Sequence, residues 1–272
     1  MPTLSSGLSI LGFSLAICAC TDSGAGTRSL DAGFDAAGFD AQATDFGAED
    51  AQNVIDAPAL DASESDSGGS ASGFGTIAGP CGRVLAELDE SAPSYFLTHY
   101  DFMSDGYNDP EERTLLTEGA QEILADGTAG GSSGISEALA FEVLARCEDA
   151  TFLKSETEVV YDPTTSKKTD ILISIGGMRV GVSVTRAESF PLSDPYTTED
   201  AAFIERKFND ILESSANVVE SDRWVKQILF VMAYGEMHAE SIHTVWESLS
   251  AETRADTILY VVVTDGDDEV IY

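Results

Sequence analysis

The sequence predicts an α/β domain in which a mixed central sheet is flanked by helices. Three observations predict it. Runs at 169–175, 178–185 and 257–264 alternate or are rich in β-branched residues, as strands are. Apolar residues recur at helical spacing at 136–147 and 198–214. The order along the chain is helix, three strands, helices, strand, which a mixed sheet with helical crossovers satisfies.

Each element has its own signal. Residues 84–88 begin a helical period that Ser91-Ala92-Pro93-Ser94 interrupts. The stretch 110–125 opens on Pro110 and acids and carries apolar Leu115, Leu116, Ile123 and Leu124, which predicts one amphipathic helix ended by the Gly/Ser loop 127–134. In 136–147, Leu139, Ala140, Val143, Leu144 and Cys147 form a stripe behind Ser136, a candidate N-cap. Residues 152–161 alternate and predict the first strand. The runs 169–175 and 178–185 follow, and Gly176-Gly177 between them signals a tight hairpin. A helix is expected at 198–214, a helical region at 221–249 with Trp224 and Trp246 in its core stripe, and a buried strand at 257–264.

Composition divides the chain. Of its 272 residues 43% are hydrophobic, enough for a core, yet 21–79 is mostly Asp, Ala, Gly and Ser with a short Gly-Phe-Asp echo at 33–35 and 38–40. Such a segment has no face to bury, so 20–80 is expected to be a disordered acidic tether and 81–272 the α/β domain. Eleven acids and one arginine, Arg28, lie between Thr21 and Pro80, which leaves the rest of the chain at −24 of the total −34. A surface so acidic opposes charge-driven binding to nucleic acid or anionic lipid and suits a divalent cation or a basic partner.

The N-terminus predicts an address. Residues 8–17 are an apolar run of ten, too short to cross a bilayer as a helix, which takes about 20 residues. The run fits the core of a signal peptide at 1–19. With Ile17-Cys18-Ala19-Cys20 it resembles the lipobox of bacterial lipoproteins. The resemblance implies acylation of Cys20 and attachment to the bacterial cell envelope through an N-terminal lipid. Once Cys18 is removed and Cys20 acylated, Cys81 and Cys147 are the thiols left in an oxidising compartment, and a disulfide between them is expected.

The order helix, hairpin-connected strands, helix, strand over 135–264 also resembles the core of the restriction-endonuclease-like, or PD-(D/E)XK, superfamily. There, a Glu on the first helix, an Asp early in the second strand and a Glu-x-Lys on the third converge on Mg²⁺. Hard oxygen ligands hold the ion that generates hydroxide, and lysine stabilises developing charge. The resemblance assigns Glu137, with Glu142 as its neighbouring alternative, to the first position and Asp170 to the second. The third motif departs from the pattern: Ser183 and Thr185 stand where Glu and Lys are expected, and Arg186 or Lys207 is the candidate relocated cation. The implied function is a binding or structural module with a degenerate nuclease-like site. The alternative is a metal-dependent nuclease or phosphodiester hydrolase using Mg²⁺ at Glu137 and Asp170.

Other motifs are weaker. Asp101, Asp105, Gly106, Asp109 and Glu112 parallel a calcium loop, with Met103 and Pro110 breaking the pattern. His238 and His243 are five apart, about 140° around a helix, unlike the i, i+4 pair of zinc proteases. His99 has no partner recognisable in the sequence. Neither a Gly-x-Ser-x-Gly elbow nor a phosphate-binding Gly-rich loop is present.

Overall fold

The computed structural model describes residues 73–104, 107, 111–127, 133–192 and 194–272. The signal peptide, Cys20 and nearly all of the tether lie outside the described residues, as do Asp105, Gly106, Asp109 and Pro110 of the calcium-like loop.

The described residues form one seven-stranded mixed sheet between two helical layers, as the sequence predicts in outline. The elements are β1 (Thr76–Ala78), α1 (Val84–Glu87), β2 (Ser94–Asp101), α2 (Glu118–Asp126), α3 (Gly134–Glu148), β3 (Thr151–Ser155), β4 (Ile171–Ile175), β5 (Met178–Ala187), α4 (Phe203–Asn217), β6 (Lys226–Ala233), α5 (Glu236–Ser248), α6 (Ala251–Arg254) and β7 (Ile258–Asp265). The sheet order is β1-β2-β7-β6-β5-β4-β3. β3, β4 and β5 form an antiparallel meander, whereas β5, β6, β7 and β2 run parallel.

Both faces of the parallel half are covered, and this explains its sequence. In β6, Ile228, Phe230 and Met232 pack towards α2 and α3, while Leu229, Val231 and Ala233 pack towards α4 and α5. A strand buried on both sides reads as a continuous apolar run. Gly176 and Gly177, at φ 59° and 83°, supply the two positive values that a two-residue hairpin turn requires. The β4–β5 hairpin therefore sits where the two glycines place it.

Several expectations need correction. Residues 221–249 are not one helical region: β6 occupies the first half and α5 the second. Trp224 lies on no helix. Its ring covers Gly181 so closely that a Cβ there would come within 2.7 Å of it. β1 and β2 have no counterpart among the expected strands; β1 lies in front of residue 81, with Phe74 ahead of it in the core, and β2 follows α1. The expected helix at 110–125 is broken. A 3-10 turn, Glu112–Leu115, stops at Leu116 in extended conformation, and the Thr117 amide turns to donate to Glu142 Oε2 at 2.7 Å before α2 begins. The strand expected at 152–161 ends at Ser155, and Tyr161 makes only an isolated bridge to Val218. Ser136 is not a cap. It lies inside α3, and its hydroxyl donates to the Ser133 carbonyl.

Cys81 and Cys147 are joined by a disulfide. Next to it, the Gly82 amide donates to the Cys147 carbonyl at 2.8 Å and the Val84 amide to Glu148 Oε2 at 2.9 Å. The N-terminal strap is thus fixed to the C-terminal end of α3.

Candidate functional site

Asp170 stands one residue before β4, where the β4–β5 ladder stops. Its amide donates to the Val182 carbonyl at 3.0 Å, as a ladder residue would. Its Oδ2 then accepts the Val184 amide at 2.6 Å, replacing the backbone acceptor that β4 no longer provides. The position is therefore structural in its first consequence: without that carboxylate a β5 amide would have no partner.

Electrostatics bring three further residues to this point. Burial, first, pushes the Asp170 carboxyl up to about 7; the Val184 amide opposes the rise, the charge of Glu137 adds to it, Lys207 opposes it, and Glu156 adds a little. Glu137, in the first turn of α3, is itself raised by burial, eased by the Ser133 hydroxyl and raised again by Glu156. The charge of Glu137 resists ionisation of Asp170. The site is a carboxylate pair with a third acid and one lysine in electrostatic reach. Glu137, Asp170 and Lys207, all singled out from the sequence, share this region. Glu156 was missed: it sits in a turn after β3 with no motif around it, so only the fold reveals its proximity.

Other expected participants are elsewhere. The Arg186 Nη1 donates to the Ile271 carbonyl at 2.8 Å, which commits it to the C-terminal turn. Glu142, with no exposed surface, accepts the Thr117 amide and pairs with Arg146 at 3.5 Å, bracing α2 against α3. Ser183 is buried on β5, and Thr185 lies beside Val231 in register. Among the described residues no group of three His, Cys, Asp or Glu side chains is arranged to hold a metal ion. Glu137 and Asp170 are two hard donors, and a hydroxyl at Ser183 does not replace the third carboxylate. The set as it stands does not fit a resident metal.

Several basic residues near the sheet are engaged within the domain. Lys167 pairs with Asp210 at 3.1 Å and Arg223 with Glu220 at 3.0 Å, and Arg179 donates to the Ser221 carbonyl. Lys226 is buried and donates to three carbonyls. His99 acquires partners that the sequence hid: Nε2 lies 3.4 Å from Glu236 and Nδ1 3.5 Å from Asp265. His243 lies 3.8 Å from Glu247 and stacks on Trp246, while His238 is buried on α5.

The raised Asp170 carboxyl has a direct consequence for stability. Its folded pKa, about 7, exceeds its ordinary value of 3.8, so the folded state favours the neutral acid. That contribution is complete below the unfolded pKa and is lost as pH rises through about 7. Asp170→Asn keeps an oxygen for the Val184 amide and removes the charge. Between pH 5.5 and 8.5 the melting temperature of the wild type is expected to fall by about 3 °C or more relative to that of the variant. Parallel curves would show that Asp170 is ionised without penalty.

No family model matches the chain, and no solved structure matches it. Among curated proteins it is similar to the AAC-rich mRNA clone AAC4 protein of Dictyostelium discoideum, with 37% identity over 154 residues. The match covers 54% of this chain and 22% of that protein, so the chain spans less than a quarter of the relative's length.

Proposed function

We propose that the chain is an exported, lipid-anchored protein of the bacterial cell envelope whose domain keeps a restriction-endonuclease-like arrangement and acts as a binding or structural module with a degenerate site. What carries the degeneracy is the third strand. Opposite Asp170, β5 offers Ser183 and then Thr185, and the Asp170 carboxylate is already occupied by the Val184 amide. The fold resemblance is supported by α3, the β3-β4-β5 meander, the α4 crossover and parallel β6, with Asp170 at the head of β4 and Glu137 on α3. The address rests on the lipobox-like Ile17-Cys18-Ala19-Cys20 and the tether that follows it.

A second reading, a metal-dependent phosphodiester hydrolase, is favoured by the reach of Glu137, Glu156 and Lys207 to Asp170. One preparation tests both readings. The mature chain, purified from its own membrane, is expected to begin at a diacylglyceryl-modified Cys20 by mass spectrometry. With Mg²⁺ or Mn²⁺ it is expected to leave plasmid DNA, single-stranded RNA and bis(p-nitrophenyl) phosphate uncut. Cleavage that disappears in Asp170→Asn and in Lys207→Met would replace the first reading with the second. An unmodified N-terminus still carrying the apolar run would remove the anchor.

A further inference from the structure

A cleft of about 330 Å³ opens at the C-terminal end of β6, between the first turn of α5 and the loop that follows β5. In parallel sheets this edge is where ligands are held, because the strands end there and the helices begin. Its walls are apolar at Leu192, Pro195 and Met237 and aromatic at Tyr234. Asp194 and Glu236 also line it, and among the described residues no Lys or Arg does.

His238 closes the inner side. It is 4% exposed, and among the described residues neither of its ring nitrogens has a hydrogen-bond partner. Its ring lies 4.4 Å from the ring of Tyr196, centroid to centroid, and 5.7 Å, edge-on, from that of Tyr234. The Tyr196 hydroxyl is likewise buried without a partner. Buried polar atoms are nearly always satisfied, so an imidazole with two orphaned nitrogens beside an open cleft points to a ligand. Apart from its neighbours in the chain, only His238 Nδ1, at 3.7 Å, lies within 4 Å of a Cβ built at Gly235, so a side chain there has room.

Charge selects the ligand. Burial lowers the His238 pKa, against a smaller opposing effect from Asp200, so the ring is neutral and offers a lone pair as well as an N–H. The aromatic rings of Tyr196 and Tyr234 pack against it and Asp200 acts on it electrostatically, while the carboxylates of Asp194 and of Glu236, the latter 3.4 Å from His99 Nε2, line the cleft. Glu236 already occupies the first turn of α5, the place where an anion would otherwise be welcomed. A cation that donates N–H bonds and carries an apolar body meets the imidazole lone pair and the carboxylates at the rim, with the tyrosine face adding cation–π attraction.

We propose that this cleft binds a small organic ammonium ion, an aryl- or alkylamine, with its nitrogen directed to His238 and the rim carboxylates and its apolar body against Leu192, Pro195 and Met237. The site is independent of the Glu137 and Asp170 carboxylates. Titration of the full chain with benzylamine, benzyl alcohol and benzoate, followed by NMR of the Met237 methyl and His238 ring signals, tests it. Benzylamine is expected to shift both signals saturably and to bind at least about tenfold more tightly than either neutral or anionic probe. His238→Phe keeps the ring shape and removes the acceptor. It is expected to fold, with a melting temperature no lower than wild type, and to lose about tenfold or more in benzylamine affinity. Gly235→Leu, at a residue whose φ of −174° any side chain adopts, is expected to fill the cleft and abolish binding. Absence of a saturable benzylamine shift, equal binding of benzoate or benzyl alcohol, or unchanged affinity in His238→Phe would overturn the proposal.

Discussion

Lys226→Met is expected to lower the unfolding free energy by about 3 kcal/mol, a loss of roughly 6–12 °C in melting temperature for a domain of this size. Lys226 opens β6 with no exposed surface, and its Nζ donates to the carbonyls of Glu87, Glu90 and Ala92 at 2.7, 2.8 and 3.0 Å. Those oxygens belong to the end of α1 and the turn after it, where a helix leaves acceptors without partners. One ammonium satisfies all three. Methionine preserves the length of the stem and supplies no donor, so three acceptors lose a charge-assisted bond in a closed site. Relief from burying an ammonium, whose pKa burial lowers, offsets part of the loss. Chemical denaturation of the variant measures it. An unchanged midpoint would mean that water reaches the turn and replaces the lysine.

The second large effect concerns the covalent link. The Cys81–Cys147 disulfide spans a sequence separation of 66, and the entropy of closing a loop of that length corresponds to about 4 kcal/mol. Cys81→Ser with Cys147→Ser is expected to melt roughly 8–16 °C below the oxidised wild type. Reductant is expected to move the wild type to the same value and leave the variant where it is. The strap has other holds, since Arg146 donates to the Phe74 and Gly75 carbonyls and Tyr100 to the Phe74 carbonyl, so the reduced protein is expected still to fold. A wild type that reductant does not shift would show that these contacts alone fix the strap.

The sequence announced some elements and hid others for physical reasons. Gly176-Gly177 marked its hairpin because backbone with positive φ leaves few alternatives. The run Ile258 to Thr264 read as a strand because β-branched residues fill it. Lys226 to Ala233 has the same buried character, but Lys, Gln and Met blur it and the two tryptophans nearby fall at helical spacing. A run buried on both faces carries no period with which to tell strand from helix. β2 did have the alternation, with Phe96, Thr98 and Tyr100 buried on one face, but Thr98 and His99 weakened the apolar signal. Of the carboxylate site, Glu137 and Asp170 were legible from short motifs at the right places in the element order. Glu156 and the partners of His99 depend on contacts between segments far apart in sequence, which no local pattern encodes.

The place of β2 beside β7 decides how small a soluble piece of this protein can be. A fragment starting at α3 would include β3 to β7, five consecutive strands of the sheet, and would look complete on topological grounds. It would also leave one flank of β7 bare, and Ile258 to Val263, six residues with no exposed surface in the intact domain, would become an unpaired apolar border. Such a border is a template for edge-to-edge aggregation. The expressible unit therefore has to reach back past Ser94, so that β2 can cover the flank of β7.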